Sequence, residues 1–241
     1  MESLIDEKKR WDEVAKRYAE ITDKDEPTKH YTARRLIEVL PKKGRSLEMG
    51  CGDGYITDFL AQHCESLTVL DASREQLETI KTRLPNLKYV CSLFEEYVPD
   101  KPFDSIVAAH VIEHVLDPVG ILKQISGWCS EGGRIHIVVP NAESLNRRLG
   151  VKMGLINRVD ELGENDLAIG HRRIYTLQLL LEHVEEAGLR VINISGIFIK
   201  PLAGTQIRNW DKAILEGLYK LGRDLDPRLA SELYVETALR S

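Results

Sequence analysis

The stretch Ser46-Leu-Glu-Met-Gly-Cys-Gly-Asp-Gly-Tyr-Ile-Thr57 constrains the fold of this chain more than any other. It reads as a short buried strand, a glycine turn and the start of a helix. Gly50, Gly52 and Gly54 carry no Cβ, so the backbone can bend sharply and come close to a ligand. The helix that follows presents free N–H groups suited to a carboxylate or phosphate. A second apolar run, Leu67-Thr-Val-Leu-Asp71, ends in an acid about twenty residues further on. An acid there is placed to accept hydrogen bonds from a ribose diol. Turn and acid together describe a nucleotide-type βαβ unit.

The dinucleotide fingerprint spaces its glycines as Gly-x-Gly-x-x-Gly. Here they fall as Gly-x-Gly-x-Gly, with Glu48 two residues before the first. This form resembles motif I of the class I S-adenosylmethionine-dependent methyltransferases. Two further phrases, Glu113-His-Val-Leu-Asp-Pro118 and His171…Tyr175-Thr…Ala187-Gly, resemble the branch containing ubiquinone-biosynthesis O-methyltransferases. The resemblance covers nearly the whole chain. It implies a Rossmann-like α/β fold: a seven-stranded, mostly parallel sheet in the order 3-2-1-4-5-7-6, with strand seven antiparallel and helices on both faces. S-adenosylmethionine is the implied cofactor and S-adenosylhomocysteine the product. Glu48, Gly50, Cys51, Gly52, Asp71, Ala72 and His110 are its expected contacts. Many members carry an Asp against the adenine amino group. Leu93 stands at that position, so main-chain groups of Leu93 or Phe94 are the expected substitutes.

The length, 241 residues, suits one domain spanning 1–241. The net charge of −5 argues against a general nucleic-acid binder. Four scattered cysteines fit reduced thiols of a cytoplasmic protein. The charged N-terminus does not read as a signal peptide, and no apolar run reaches transmembrane length. Oligomeric state is left open.

Taken in order, residues 4–21 place Trp11, Val14, Tyr18 and Ile21 at helical spacing, and a second helix runs through Tyr31 to Leu40. In the family, such cap helices within 1–40 cover cofactor and substrate. Tyr18 and Tyr31 are therefore candidates to touch the ligand, or else aromatics packed on the sheet. Strands are expected at Arg45–Met49, Leu67–Asp71, Leu87–Cys91, Phe103–Ala109, Arg134–Val139, Leu189–Phe198 and Leu233–Leu239, and helices at Tyr55–His63, Val119–Cys129, Leu177–Ala187 and Thr205–Leu221. Ser73 is the expected cap of the helix after the second strand. Residues 141–176 form the family's variable insertion. Asn141–Gly154 looks helical, and the loose stretch Asn157–Gly170 is long enough to be a lid.

Methyl transfer from a sulfonium needs an aligned nucleophile, and an alcohol nucleophile also benefits from a base. His110 and His114 follow the fourth strand, and His171 lies downstream. They are candidates for base or orientation. Asn141, Arg147 and Arg172 are candidates for the substrate, and the arginines would suit an anionic metabolite bearing carboxylate or phosphate. Glu-His with a downstream histidine also resembles the metal site of small-RNA 3′-end 2′-O-methyltransferases. That alternative would use His110, Glu113, His114 and His171 as ligands; the leading expectation is a small-molecule acceptor at O or N and no metal. A non-catalytic cofactor-binding partner protein is the third reading.

Overall fold

The computed structural model describes Trp11, Val14 and residues 26–240. Tyr18, and most of the helix expected over residues 4–21, lies outside the described residues. The first described helix is α1 (Glu26–Val39). The sheet then builds through β1 (Arg45–Met49), α2 (Tyr55–His63), β2 (Ser66–Asp71), α3 (Arg74–Arg83), β3 (Lys88–Cys91), β4 (Phe103–Ala109), α4 (Pro118–Ser126) and β5 (Cys129–Pro140). After it come α5 (Leu145–Lys152), α6 (Glu164–Ala168), α7 (Leu177–Glu186), β6 (Leu189–Gly196), α8 (Gly204–Ile207), α9 (Lys212–Asp224) and β7 (Glu232–Leu239). The strand order is 3-2-1-4-5-7-6. β1 to β5 are parallel to one another, and β7 runs antiparallel between β5 and β6.

Alternation along the buried strands sorts the core onto two faces. Leu47, Met49, Ile106, Ala108, Ile135 and Ile137 pack on one face beneath α4 and α7, which contribute Leu122, Ile125, Leu180 and Val184. Val69, Val107, Ala109 and Val138 pack on the other, beneath Leu36, Leu60, Ile80 and Tyr219. His136, in the middle of β5, is buried with Nδ1 2.8 Å from the Tyr234 hydroxyl.

Four elements differ from expectation. Cys129 to Gly133 was expected at the end of a helix and in a turn, yet belongs to β5. Phe103 pairs with Cys129, a bulge follows, and the ladder resumes at Ser105 with Arg134; Ser130 Oγ donates to Asp104 Oδ1 across the bulge at 2.8 Å. The helix expected over Thr205–Leu221 is two helices, because Asp211 accepts from Ala213 N and restarts the chain as α9, leaving Trp210 between them. The helix expected over Asn141–Gly154 begins only at Leu145. The stretch expected to be loose, Asn157–Gly170, contains α6.

Order reversal between β1 and β4 opens a crevice at the carboxyl ends of the strands, where ligands of open α/β sheets bind.

Candidate active site

Gly50, Gly52 and Gly54 all have positive φ, at 70°, 52° and 80°. Each lies in a region L-residues rarely occupy, so the turn depends on glycine. Gly54 caps α2 without a side-chain bond, and Asp53 Oδ1 accepts from Tyr55 N at 3.1 Å. Asp71 ties this turn to the end of β2. Its Oδ2 accepts from Cys51 N at 2.8 Å and its Oδ1 from Ser73 N at 2.7 Å. Burial raises the Asp71 carboxyl, against the hydrogen bonds from Ser73 and Cys51. The sequence did not disclose this internal commitment, although a carboxylate retains lone pairs for further donors.

A cavity opens beside the turn. Gly50, Cys51, Gly52, Asp71, Phe94 and His110 line it, together with Trp11 and Lys29. The wall passes from Asp71 to Ser73; Ala72 is half-buried, and its carbonyl accepts from Cys91 Sγ. Glu48 lies behind the turn, 2 % exposed, and burial pushes its carboxyl up to about 8. Leu93 is buried behind Phe94. Its carbonyl accepts from Glu96 N at 3.2 Å and Ser92 Oγ at 2.9 Å. Phe94 supplies the apolar surface.

His110 terminates β4 with φ 55°, alone in that region among the described non-glycine residues. A left-handed backbone costs such a residue about 1–2 kcal/mol, and retained strain of this kind gathers at functional sites. Its N–H donates to Val138 O at 2.9 Å, and its Nδ1 lies 3.5 Å from Glu113 Oε1 and 3.8 Å from Glu232 Oε2. His110 and Lys29 also line a second, more polar cavity, whose wall includes Asn141, Arg147, Asp166, His171, Lys200 and Glu232. The two cavities therefore share a boundary.

Comparison with known proteins names this architecture. A family model described as a methyltransferase domain matches residues 22–194. The chain belongs to that methyltransferase family. It is 23% identical over 235 residues to the ubiquinone biosynthesis O-methyltransferase of Vibrio parahaemolyticus, covering 90% of this chain and 91% of the relative. The corresponding protein of Aeromonas salmonicida is 24% identical over 234 residues, covering 90% and 89%. Among solved structures, an S-adenosylmethionine-dependent methyltransferase from Archaeoglobus fulgidus superposes with a TM-score of 0.63 at 18% identity, covering 91% of this chain and 98% of that one. The N-methyltransferase NodS of Bradyrhizobium japonicum, in complex with S-adenosylhomocysteine, gives 0.56 at 14%, covering 89% and 87%. These neighbours share the class I fold.

In this methyltransferase, Glu113, His114 and His171 converge. One ligand-capable atom from each lies within 4.8 Å of the others, and all three residues are buried. Neither Glu113 oxygen has a hydrogen-bond partner, and neither does His114 Nδ1. Burial works against the Glu113 carboxylate, but the His110 ring, with Nδ1 3.5 Å from Oε1, holds it below the ordinary range. Burial lowers His114 to about 4, so the ring is neutral at pH 7. His110 stands outside this trio.

Other candidates are placed away from the ligand cavities or are already committed. Tyr31 is a core residue, stacked between Phe198 and Tyr219 at centroid distances of 5.0 and 4.8 Å. Asn141 reaches the second cavity wall, but its amide donates to the carbonyls of Pro227, Arg228 and Ala230, and its oxygen accepts from Glu143 N. Arg147 donates to the carbonyls of Val159 and Glu161. Arg172 donates from Nε to His114 O at 3.0 Å, and Arg173 to Ile112 O and Val115 O. These arginines brace the scaffold, and Arg147 also lines the second cavity. Sequence reading missed Lys29, which pairs with Asp53 at the boundary of both cavities, and Glu232, which reaches His110 from β7. No local pattern signals either contact.

Proposed function

We propose that the chain transfers the methyl group of S-adenosylmethionine to an oxygen or nitrogen of a small molecule held in the second cavity. The boundary shared by the two cavities at His110 carries this reading. The donor would lie along the glycine turn, with Asp71 accepting from its ribose. When bound, the donor would supply a methyl carbon open to attack by the acceptor atom, with the electron pair of the broken carbon–sulfur bond staying on sulfur as S-adenosylhomocysteine. The acceptor's proton leaves to His110, which two buried carboxylates flank. Incubation with methyl-labelled S-adenosylmethionine and a fractionated cell extract tests this. Label is expected in the small-molecule fraction; label in RNA alone, or no binding of the donor, would overturn it.

The trio favours an addition at the same place. Glu113, His114 and His171 fit a divalent ion because they bring ligand-capable atoms together and include a buried carboxylate and an imidazole nitrogen that have no hydrogen-bond partner. One oxygen and two nitrogen donors suit zinc, manganese or iron(II) better than magnesium. When bound, such an ion would supply Lewis-acid polarisation of an acceptor oxygen. The RNA alternative would also require a basic track, and the committed arginines argue for the small molecule. Elemental analysis of the protein after exposure to zinc or manganese should find about one equivalent, lost in His114→Ala. Metal-free wild type would remove the ion and leave the methyl-transfer reading standing.

A further inference from the structure

We propose that Asp166 is a positioning residue that holds His171 in its metal-binding tautomer and thereby ties the variable segment to the metal trio. The inference rests on the metal reading above. Asp166 lies on α6, and its Oδ1 is 3.2 Å from His171 Nδ1. The two residues are linked again through the backbone, where His171 N donates to Asp166 O at 2.8 Å. A carboxylate only accepts, so the proton of this bond belongs to Nδ1. Nε2, the nitrogen left for a metal, lies 4.0 Å from Glu113 Oε1, too far for a hydrogen bond.

His114 shows the same arrangement from the other side. The main chain of Gly170 bonds its ring, and Nδ1 is left without a partner. Glu113, His114 and His171 thus each bring a ligand-capable atom within 4.8 Å of the others, and neither the Glu113 oxygens nor His114 Nδ1 have a hydrogen-bond partner, an arrangement that a cation relieves. A ligating histidine whose other nitrogen donates to a carboxylate is a recurrent way of fixing ring orientation and raising ligand basicity.

Asp166 also belongs to the variable segment. Its Oδ2 accepts from Gly163 N at 2.8 Å and lies 3.8 Å from Arg147 Nη1. Arg147 in turn gathers the carbonyls of Val159 and Glu161. Occupancy of the trio would thus be felt along residues 159–171 through one carboxylate.

Cobalt(II) titration of the full chain, followed by its visible absorption, tests the proposal. Asp166→Asn is expected to weaken binding about 10–100-fold and to alter the ligand-field bands. Unchanged affinity and spectrum in this variant, with wild type binding cobalt, would overturn the Asp166 role alone. No cobalt binding by wild type would overturn the metal reading and this inference together. Should Asp166→Asn not fold, the nitrogen shifts of His171 in the metal-free wild type decide. A proton on Nδ1 is expected, and a ring protonated at Nε2 alone would overturn the proposal.

Discussion

Gly52→Val is expected to weaken S-adenosylmethionine binding at least about 100-fold, equivalent to about 2.7 kcal/mol, while the protein still unfolds in one cooperative transition. Two effects act together. Gly52 has φ 52°, where a non-glycine residue costs about 1–2 kcal/mol and a β-branched one is a still poorer fit. The valine side chain would also stand in the wall of the donor cavity, which Gly52 lines. Gly132→Ala separates these effects. Gly132 has φ 78°, and a Cβ built there meets nothing within 4 Å. It should therefore lose stability through the backbone and leave donor affinity unchanged. Calorimetric titration and thermal unfolding of both variants provide the measurements. Micromolar binding retained by Gly52→Val would show that the donor does not lie along this turn.

The glycine turn was legible because its chemistry is local. Three glycines, a strand and a helix within a dozen residues leave few conformations, and the acid at the end of β2 is found by counting. Sheet order followed from apolar runs and their spacing together with the family resemblance. Side-chain commitments at long separation were not legible. Asp71 holds Cys51 N, twenty residues back, and nothing in either stretch announces it. The arginines of the variable segment look alike in sequence, yet Arg147 folds onto its own loop and Arg173 onto the carbonyls after β4. Glu232 enters the site only because β7 lies antiparallel against β5, pairing with Pro140 and bringing a residue near the C-terminus beside His110. Periodicity reports which face a residue occupies; it does not report which distant group its polar end will meet.

Asp71→Ala carries the second large expectation, and it reaches stability as well as binding. Removing the carboxylate leaves the N–H groups of Cys51 and Ser73 without their acceptor in a buried setting. Each orphaned donor costs about 1–3 kcal/mol, so a loss of about 2–6 kcal/mol is expected in urea unfolding, a large share of an ordinary domain's stability. The turn would loosen as well, and donor affinity should fall beyond the bonds a ribose alone would contribute. Asp71→Asn distinguishes the two roles. Its amide oxygen can still accept from one of the two N–H groups, so about half of the lost stability should return. Its NH₂ cannot accept from a ribose hydroxyl, so donor binding should stay weak. If Asp71→Asn instead recovered full affinity, the carboxylate would be a brace for the turn with no contact to the sugar. The placement of the donor would then rest on the glycines alone.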